Sequence, residues 1–468
     1  MSELPKSIKE NQKNLIEKKY SCLELVEAYL RRIRKYDDKL NSLITVSDEL
    51  AYSQAKKTDR QIKELGRKLY EVDPLFGTVV VYKDLFLTKG IRTTAGSKVL
   101  EFYVPIYSST VVKRLEDAGC ITIGKANCDA WGHGASGENS DFGPTKNPWN
   151  TKFVPGGSSS GSAASLKAGF CLVSTGTDTG GSIRQPASFC GVVGLKPTYG
   201  SVSRYGVIAM ASSLDSIGHM GINVEDVEKV YEITKGEDKK DATLRIARYQ
   251  IPKRKLILGV PKEYLAQGLN REVRRALEET INVFTRMNFE VIDVSLPLTK
   301  YAISVYYIVQ PAEVSSNLAR YDGVRYANDR FSFGDEAKRR IMLGNYVLSA
   351  GYYDAFYIKA MKVRSKIIKE YDEVFKKVDC LLAPVSPTPP FKLREKAGDP
   401  LQMYLSDILT VPANIVGIPA LAIPCGFTAS GLPLGFQLMG QRFSEALLFK
   451  LGKLYQRETS WHLRYPNL

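Results

Sequence analysis

The sequence predicts an α/β fold, a single large domain with a central mixed β-sheet surrounded by helices. Three observations carry this prediction. Helical stretches alternate with short apolar strands along much of the chain. The 468 residues are 44% hydrophobic, enough to bury a large core. No internal repeat or low-complexity linker marks a clean boundary. Four regions are distinguished within the unit: an N-terminal helical segment (1–70), a core rich in serine and glycine (76–225), a helix-and-strand region (226–400), and C-terminal strands with a helix (401–468).

The first seventy residues read as helices. Ser21 with Glu24 forms a capping box, and Leu25, Val26, Tyr29, Leu30 and Ile33 follow at helical spacing. After Asp73-Pro74 the β-branched run Gly77-Thr-Val-Val-Val-Tyr82 predicts a buried strand that delivers Lys83 and Asp84 at its tip. Residues 109–118 read as a helix and 121–124 as a second short strand. From 126 to 200 the chain turns to glycine, serine and other small residues. Helices are expected again over 225–234, 271–287 and 337–378, with strands at 256–260 and 381–383. Residues 408–441 carry no charge, yet Pro412, Pro419, Pro424 and Pro433 would break a spanning helix, so buried strands and turns are expected there.

Composition narrows the function. Seven scattered cysteines without a Cys-x-x-Cys pair argue against a disulfide framework or a thiolate metal site, and the N-terminus lacks an apolar signal core. A reducing cytoplasm is the expected location. The formal charge of +15 leaves contact with polyanions open, but no nucleic-acid motif accompanies it, and a basic solvated surface explains it equally well.

With only His133, His219 and His462 present, none in a convincing local motif, a histidine-based relay is not expected. Gly157-Ser-Ser159-Ser-Gly161 matches a nucleophile elbow, but Trp149 to Pro155 lacks the strand that must precede one. Gly132-His-Gly134-Ala-Ser-Gly137 matches a dinucleotide fingerprint without a β-α unit around it. There remain Pro155-Gly-Gly-Ser-Ser-Ser-Gly-Ser162 and Gly176-Thr-Asp-Thr-Gly-Gly-Ser182-Ile-Arg-Gln-Pro186. Glycines just before a serine let backbone N–H groups converge on an oxyanion, so Gly180, Gly181 and Ser182 are candidate donors and nucleophile. A tight turn or a phosphate cradle is the alternative. The serine needs a base, and Lys83, neutralised by burial at its strand end, suits that role; an ion pair with Asp84 is the competing reading.

These residues resemble the amidase signature family: Lys83-Asp84, Gly156-Gly157-Ser158-Ser159, Asp178-Thr-Gly-Gly-Ser182-Ile-Arg184 and Gly194-Leu-Lys-Pro-Thr198, in that order. The resemblance implies that Ser182 is the acylated nucleophile and that Ser158, on a cis peptide, bridges it to Lys83. Backbone groups of Thr179, Gly180, Gly181 and Ser182 would form the oxyanion hole, and the catalytic groups would lie at the edge of the sheet. Within this family the chain is similar to the A subunits of tRNA-dependent amidotransferases through Pro144-Thr-Lys-Asn-Pro-Trp149, 315–325, 338–344, Ser349-Ala-Gly-Tyr-Tyr-Asp354 and Tyr404-Leu-Ser-Asp407. That similarity implies a glutaminase in a heterotrimer, feeding ammonia to an acceptor B subunit, with a small C subunit, for conversion of Glu-tRNA(Gln) or Asp-tRNA(Asn). ATP and magnesium would be used through the acceptor partner, since no P-loop occurs here. A free-standing amidase on another small carboxamide is the alternative.

Glutamine carries a carboxylate and an ammonium, so its pocket needs a cation and an anion at separate places. The family pocket falls on Arg340, Asp407 and Tyr306, with Arg339 as a rival for the carboxylate. Three departures bear on this pocket: Ser160 where glycine is usual, Asp129-Ala-Trp-Gly-His-Gly134 in place of an acidic-aromatic-methionine stretch, and a short connection between Arg325 and Phe331.

Overall fold

In the computed structural model, which describes residues 4–265, 268–324 and 328–468, eleven strands among the described residues form one mixed sheet. In chain order these are β1 (Leu43–Val46), β2 (Val79–Lys83), β3 (Ile121–Ala126), β4 (Val173–Asp178), β5 (Val193–Lys196), β6 (Ser216–Gly221), β7 (Ile257–Pro261), β8 (Glu290–Val294), β9 (Cys380–Pro384), β10 (Ala420–Phe427) and β11 (Pro433–Gly440). Across the sheet the order is β1-β3-β2-β4-β6-β5-β10-β11-β9-β7-β8. β3, β2 and β4 run parallel, as do β9, β7 and β8, and the strands between them are antiparallel.

Successive side chains of β2 enter two different cores. Val79 and Val81 join one apolar cluster, Val80 and Tyr82 another, because a strand projects alternate residues to opposite faces. Helices cover both faces, which is why this strand reads as a continuous apolar run. Helix Cys22–Leu40 starts on the expected capping box: Ser21 Oγ accepts from Glu24 N at 3.1 Å and Glu24 Oε2 accepts from Ser21 N at 2.7 Å. Its residues Leu25, Val26, Tyr29, Leu30 and Ile33 are buried.

Three expectations are corrected. The first seventy residues are not all helical, since Leu43–Val46 pairs antiparallel with β3; the strand is too short to show a period and gains its hydrogen bonds from its neighbour. The stretch 337–378 is two α-helices, Asp335–Leu348 and Lys359–Val374: the first ends where Ser349 turns extended (ψ 160°), and a π-helical turn, Tyr353–Ile358, leads into the second. Helix Ala302–Leu318 was not expected, being apolar on nearly every face and holding Pro311. The charge-free 408–441 stretch forms a short helix, Val411–Val416, and the hairpin β10–β11. Among the described residues no helix is long and apolar enough to cross a membrane.

Candidate active site

Parallel pairing brings the C-terminal ends of β2 and β4 to the same side of the sheet, with Val81 beside Ser174. Lys83 ends β2 and Asp178 ends β4. These are interior strands, so the site lies at strand ends within the sheet rather than on an outer strand.

Lys83 is fully buried, and its Nζ lies 2.8 Å from both Ser158 Oγ and Thr177 Oγ1. Burial lowers its pKa to about 8, although nearby Cys128 and the carboxylates of Asp129, Asp178 and Asp215 pull the other way. The ion pair between Lys83 and Asp84 does not form. Asp84 turns to Lys125, 3.2 Å away, and accepts from Thr94 N at 2.7 Å. Adjacent residues at a strand end point to opposite faces, leaving the amine of Lys83 to the hydroxyls.

Ser158 follows a cis peptide at Gly157–Ser158. Its loop is held by Gly157 N donating to Gln185 Oε1 at 3.0 Å and by Ser159 N donating to Ser182 O at 3.1 Å, which ties the two serine loops together. The loop bearing Ser182 is built on Asp178. One carboxylate oxygen accepts from Gly181 N (2.9 Å), Arg184 Nη2 (3.0 Å) and Asn414 Nδ2 (2.9 Å); the other accepts from Ile183 N (3.2 Å) and Arg184 Nε (3.0 Å). Burial would raise the pKa of Asp178, but Arg184, Lys196 and Asn414 together outweigh it and hold the group at about 2. The Gly181 N–H, an expected oxyanion donor, is therefore already engaged. The N–H groups of Thr179, Gly180 and Ser182 meet no acceptor among the described residues. Thr179 Oγ1 donates to Asp215 at 2.6 Å and Thr410 Oγ1 to Gly180 O at 2.6 Å, which fixes the turn.

A cavity of about 210 Å³ lies beside this loop, lined in part by Ser136, Tyr307, Arg340, Tyr404 and Asp407. Arg340 is buried, donates from Nε to Glu336 Oε1 at 2.8 Å, and lies over the rings of Tyr307 and Tyr404. Arg339 also lines the cavity but is partly exposed and paired with Glu336. Asp407 accepts from Gln185 Nε2 at 3.3 Å; burial pushes its carboxyl well up, and Arg340 opposes that. Tyr306 presses on the nucleophile loop, for a Cβ at Gly180 would stand 2.9 Å from its ring. Arg340 and Asp407 thus line the cavity, and Tyr306, within reach of both, touches the nucleophile loop at Gly180; Lys83, Ser158 and Ser182 are not among the lining residues.

The departures are accommodated. Ser160 bonds Thr145 Oγ1 at 3.2 Å and occupies the space a Cβ at Gly137 would need, away from Lys83. Asp129 accepts from Asn139 N and Gly137 N, and burial raises its pKa to about 7. Trp131 packs at a tilt against the rings of Tyr321 and Phe333. Arg325 lies outside the described residues. None of the three histidines hydrogen-bonds Ser158 or Ser182; His219 Nε2 instead meets Thr234 Oγ1 at 2.6 Å. Among the described residues no group of three His, Cys, Asp or Glu is placed to hold a metal.

Sequence reading missed Thr177, Gln185, Thr410 and Asn414. Thr177 carried a signal, since Thr175-Gly-Thr177 puts two hydroxyls on one face of a strand; in the structure Thr175 Oγ1 accepts from Lys83 N at 3.1 Å. The others are brought in only by the tertiary fold.

Comparison with known proteins places these features. Residues 24–449 match the family described as Amidase. The chain is 46% identical to the A subunit of glutamyl-tRNA(Gln) amidotransferase of Geobacter metallireducens, over 97% of this chain and 98% of that one. It is 48% identical to the protein of the same name from Koribacter versatilis, over 93% and 94%. The crystal structure of the glutamyl-tRNA(Gln) amidotransferase A subunit from Thermotoga maritima matches with a TM-score of 0.82 at 39% identity, covering 97% of this chain and 94% of that one.

Proposed function

The chain belongs to the amidase family, and on that premise we propose that it is a glutaminase acting within a tRNA-dependent amidotransferase. The observation that carries the reading is the buried amine of Lys83 at 2.8 Å from Ser158 Oγ, on a loop bonded to that of Ser182. The neighbouring cavity, with Arg340 and Asp407, offers a cation for the carboxylate of glutamine and a carboxyl group that the ligand's ammonium would hold ionised against its burial.

In the proposed mechanism neutral Lys83 takes the proton of Ser158 as Ser158 takes that of Ser182. Ser182 Oγ attacks the carboxamide carbon, and the free N–H groups of Thr179, Gly180 and Ser182 stabilise the oxyanion. The proton returns through Ser158 to the leaving nitrogen, the C–N bond breaks and ammonia departs. Water, activated by the same relay, then cleaves the acyl-serine to glutamate. The names of the relatives support a place in a multi-subunit amidotransferase. The assembly proposed is a heterotrimer in the cytoplasm, with an acceptor B subunit that binds tRNA and ATP with magnesium and a small C subunit, converting Glu-tRNA(Gln) or Asp-tRNA(Asn).

The test is ammonia release from glutamine by the chain alone and by the chain co-expressed with the B and C subunits. The reading expects release that rises with partners and charged tRNA and vanishes in Ser182→Ala. Full activity in Ser182→Ala, or release only from unrelated amides, refutes it.

A further inference from the structure

Beside the amide pocket, three buried side chains hold polar atoms without a hydrogen bond among the described residues: both ring nitrogens of His133, Nη1 of Arg340 and both amide atoms of Gln310. Their exposures are 1%, 4% and 0%. An unpaired buried polar group costs about 1–3 kcal/mol, so several in one place call for a ligand.

Backbone geometry puts His133 between the serine relay and the residues that line the cavity, its own ring buried just behind that lining. On one side, a Cβ at Gly132 would stand 3.7 Å from Ser158 Oγ; on the other, Gly134 lines the cavity that holds Arg340 and Asp407. The backbone of His133 is committed, its N donating to Ala130 O at 3.0 Å and its O accepting from Asn139 Nδ2 at 2.9 Å, so only the ring is free. Gln310 shares a helix face with residues that reach this part of the molecule. Tyr306, one turn before it, presses on Gly180, and Asn317, on the same face further on, donates to Met210 O at 3.0 Å. Met210 Sδ in turn lies 3.5 Å from the Cβ position of Gly132. Burial, aided by the charge of Arg340, keeps the imidazole neutral, with one N–H to donate and one nitrogen to accept.

We propose that His133 is a specificity-determining contact of this pocket: its ring N–H donates to the α-carboxylate held by Arg340 Nη1, so that amides bearing that carboxylate are selected. This rests on the glutaminase reading, which supplies the carboxylate.

The test uses the full chain in a Ser182→Ala background, which removes turnover, and calorimetric titration with glutamine and with 4-aminobutanamide, the same amide without its carboxylate. Hydrogen bonds to charged groups predict a loss of about tenfold in glutamine affinity for His133→Met, with His133→Asn recovering most of it. The affinity for 4-aminobutanamide is expected to stay the same. Equal weakening of both ligands in both variants, or unchanged glutamine affinity, overturns the proposal. If the Ser182→Ala chain binds 4-aminobutanamide but not glutamine, the proposal and the glutaminase reading fall together. If glutamine binds in a His133-dependent way while the unsubstituted chain releases no ammonia from it, only the glutaminase reading falls.

Discussion

Replacing Asp178 by asparagine tests whether one buried carboxylate holds the nucleophile loop. In the folded chain its two oxygens accept from three backbone N–H groups, from the Arg184 side chain twice and from Asn414. An amide keeps one oxygen but turns two donors toward the rest, and Arg184, also fully buried, loses the one anionic partner it has among the described residues. The depressed pKa gives the order of magnitude: a fall from 3.8 to about 2 is worth roughly 2 kcal/mol. Because the folded value lies below the unfolded one, this contribution is present above pH 3.8 and is lost as pH falls through about 2. Substitution costs more than protonation, since it strands a buried guanidinium, and about 3–5 kcal/mol is expected. Asp178→Asn should therefore melt roughly 3–5 °C lower than the parent and lose most acylation of Ser182, whereas Arg184→Met paired with Asp178→Asn should recover part of the melting temperature. A single variant that melts within a degree of the parent and acylates normally would refute this account of the loop.

Other consequences follow from the same geometry. If Lys83 must be neutral to accept a proton, kcat/KM should rise about tenfold per pH unit below pH 8 and level off above it; a flat profile from pH 6 to 9 contradicts that role. Thr177→Val removes one of two hydroxyls that orient the Lys83 amine and should lower kcat about tenfold with little change in KM, Thr177→Ser restoring it. Arg340→Ala should raise KM for glutamine at least about a hundredfold, whereas Arg339→Ala should change it by less than about threefold, because only Arg340 is buried against the cavity; equal effects would return the carboxylate to either arginine.

Much of the site was legible because its chemistry is local. Lys83 stood out as a charge at the tip of an apolar strand, and the two glycine-serine runs as backbone that can turn N–H groups inward. What sequence could not show is which neighbour each group takes. Lys83 and Asp84 are adjacent, yet strand alternation sends them to different partners, Ser158 and Lys125. Gly181 looked as fit as Gly180 to bind an oxyanion, but Asp178, three residues earlier, closes back on its N–H. Arg339 and Arg340 differ only in which side of their helix meets the core. Thr410 and Asn414 come from more than two hundred residues away to brace the loop, through a helix whose charge-free sequence signals burial but not contact. Helix Ala302–Leu318 escaped notice for a related reason: buried on nearly all sides, it has no polar stripe to reveal a period.

The measurement that bears most directly on the central claim is mass spectrometry of the chain after brief exposure to a glutamine analogue carrying a diazoketone in place of the amide. The account predicts one covalent adduct, on Ser182, absent in Ser182→Ala and strongly slowed in Lys83→Met. An adduct on another residue, or one on Ser182 that forms equally fast without Lys83, would contradict it.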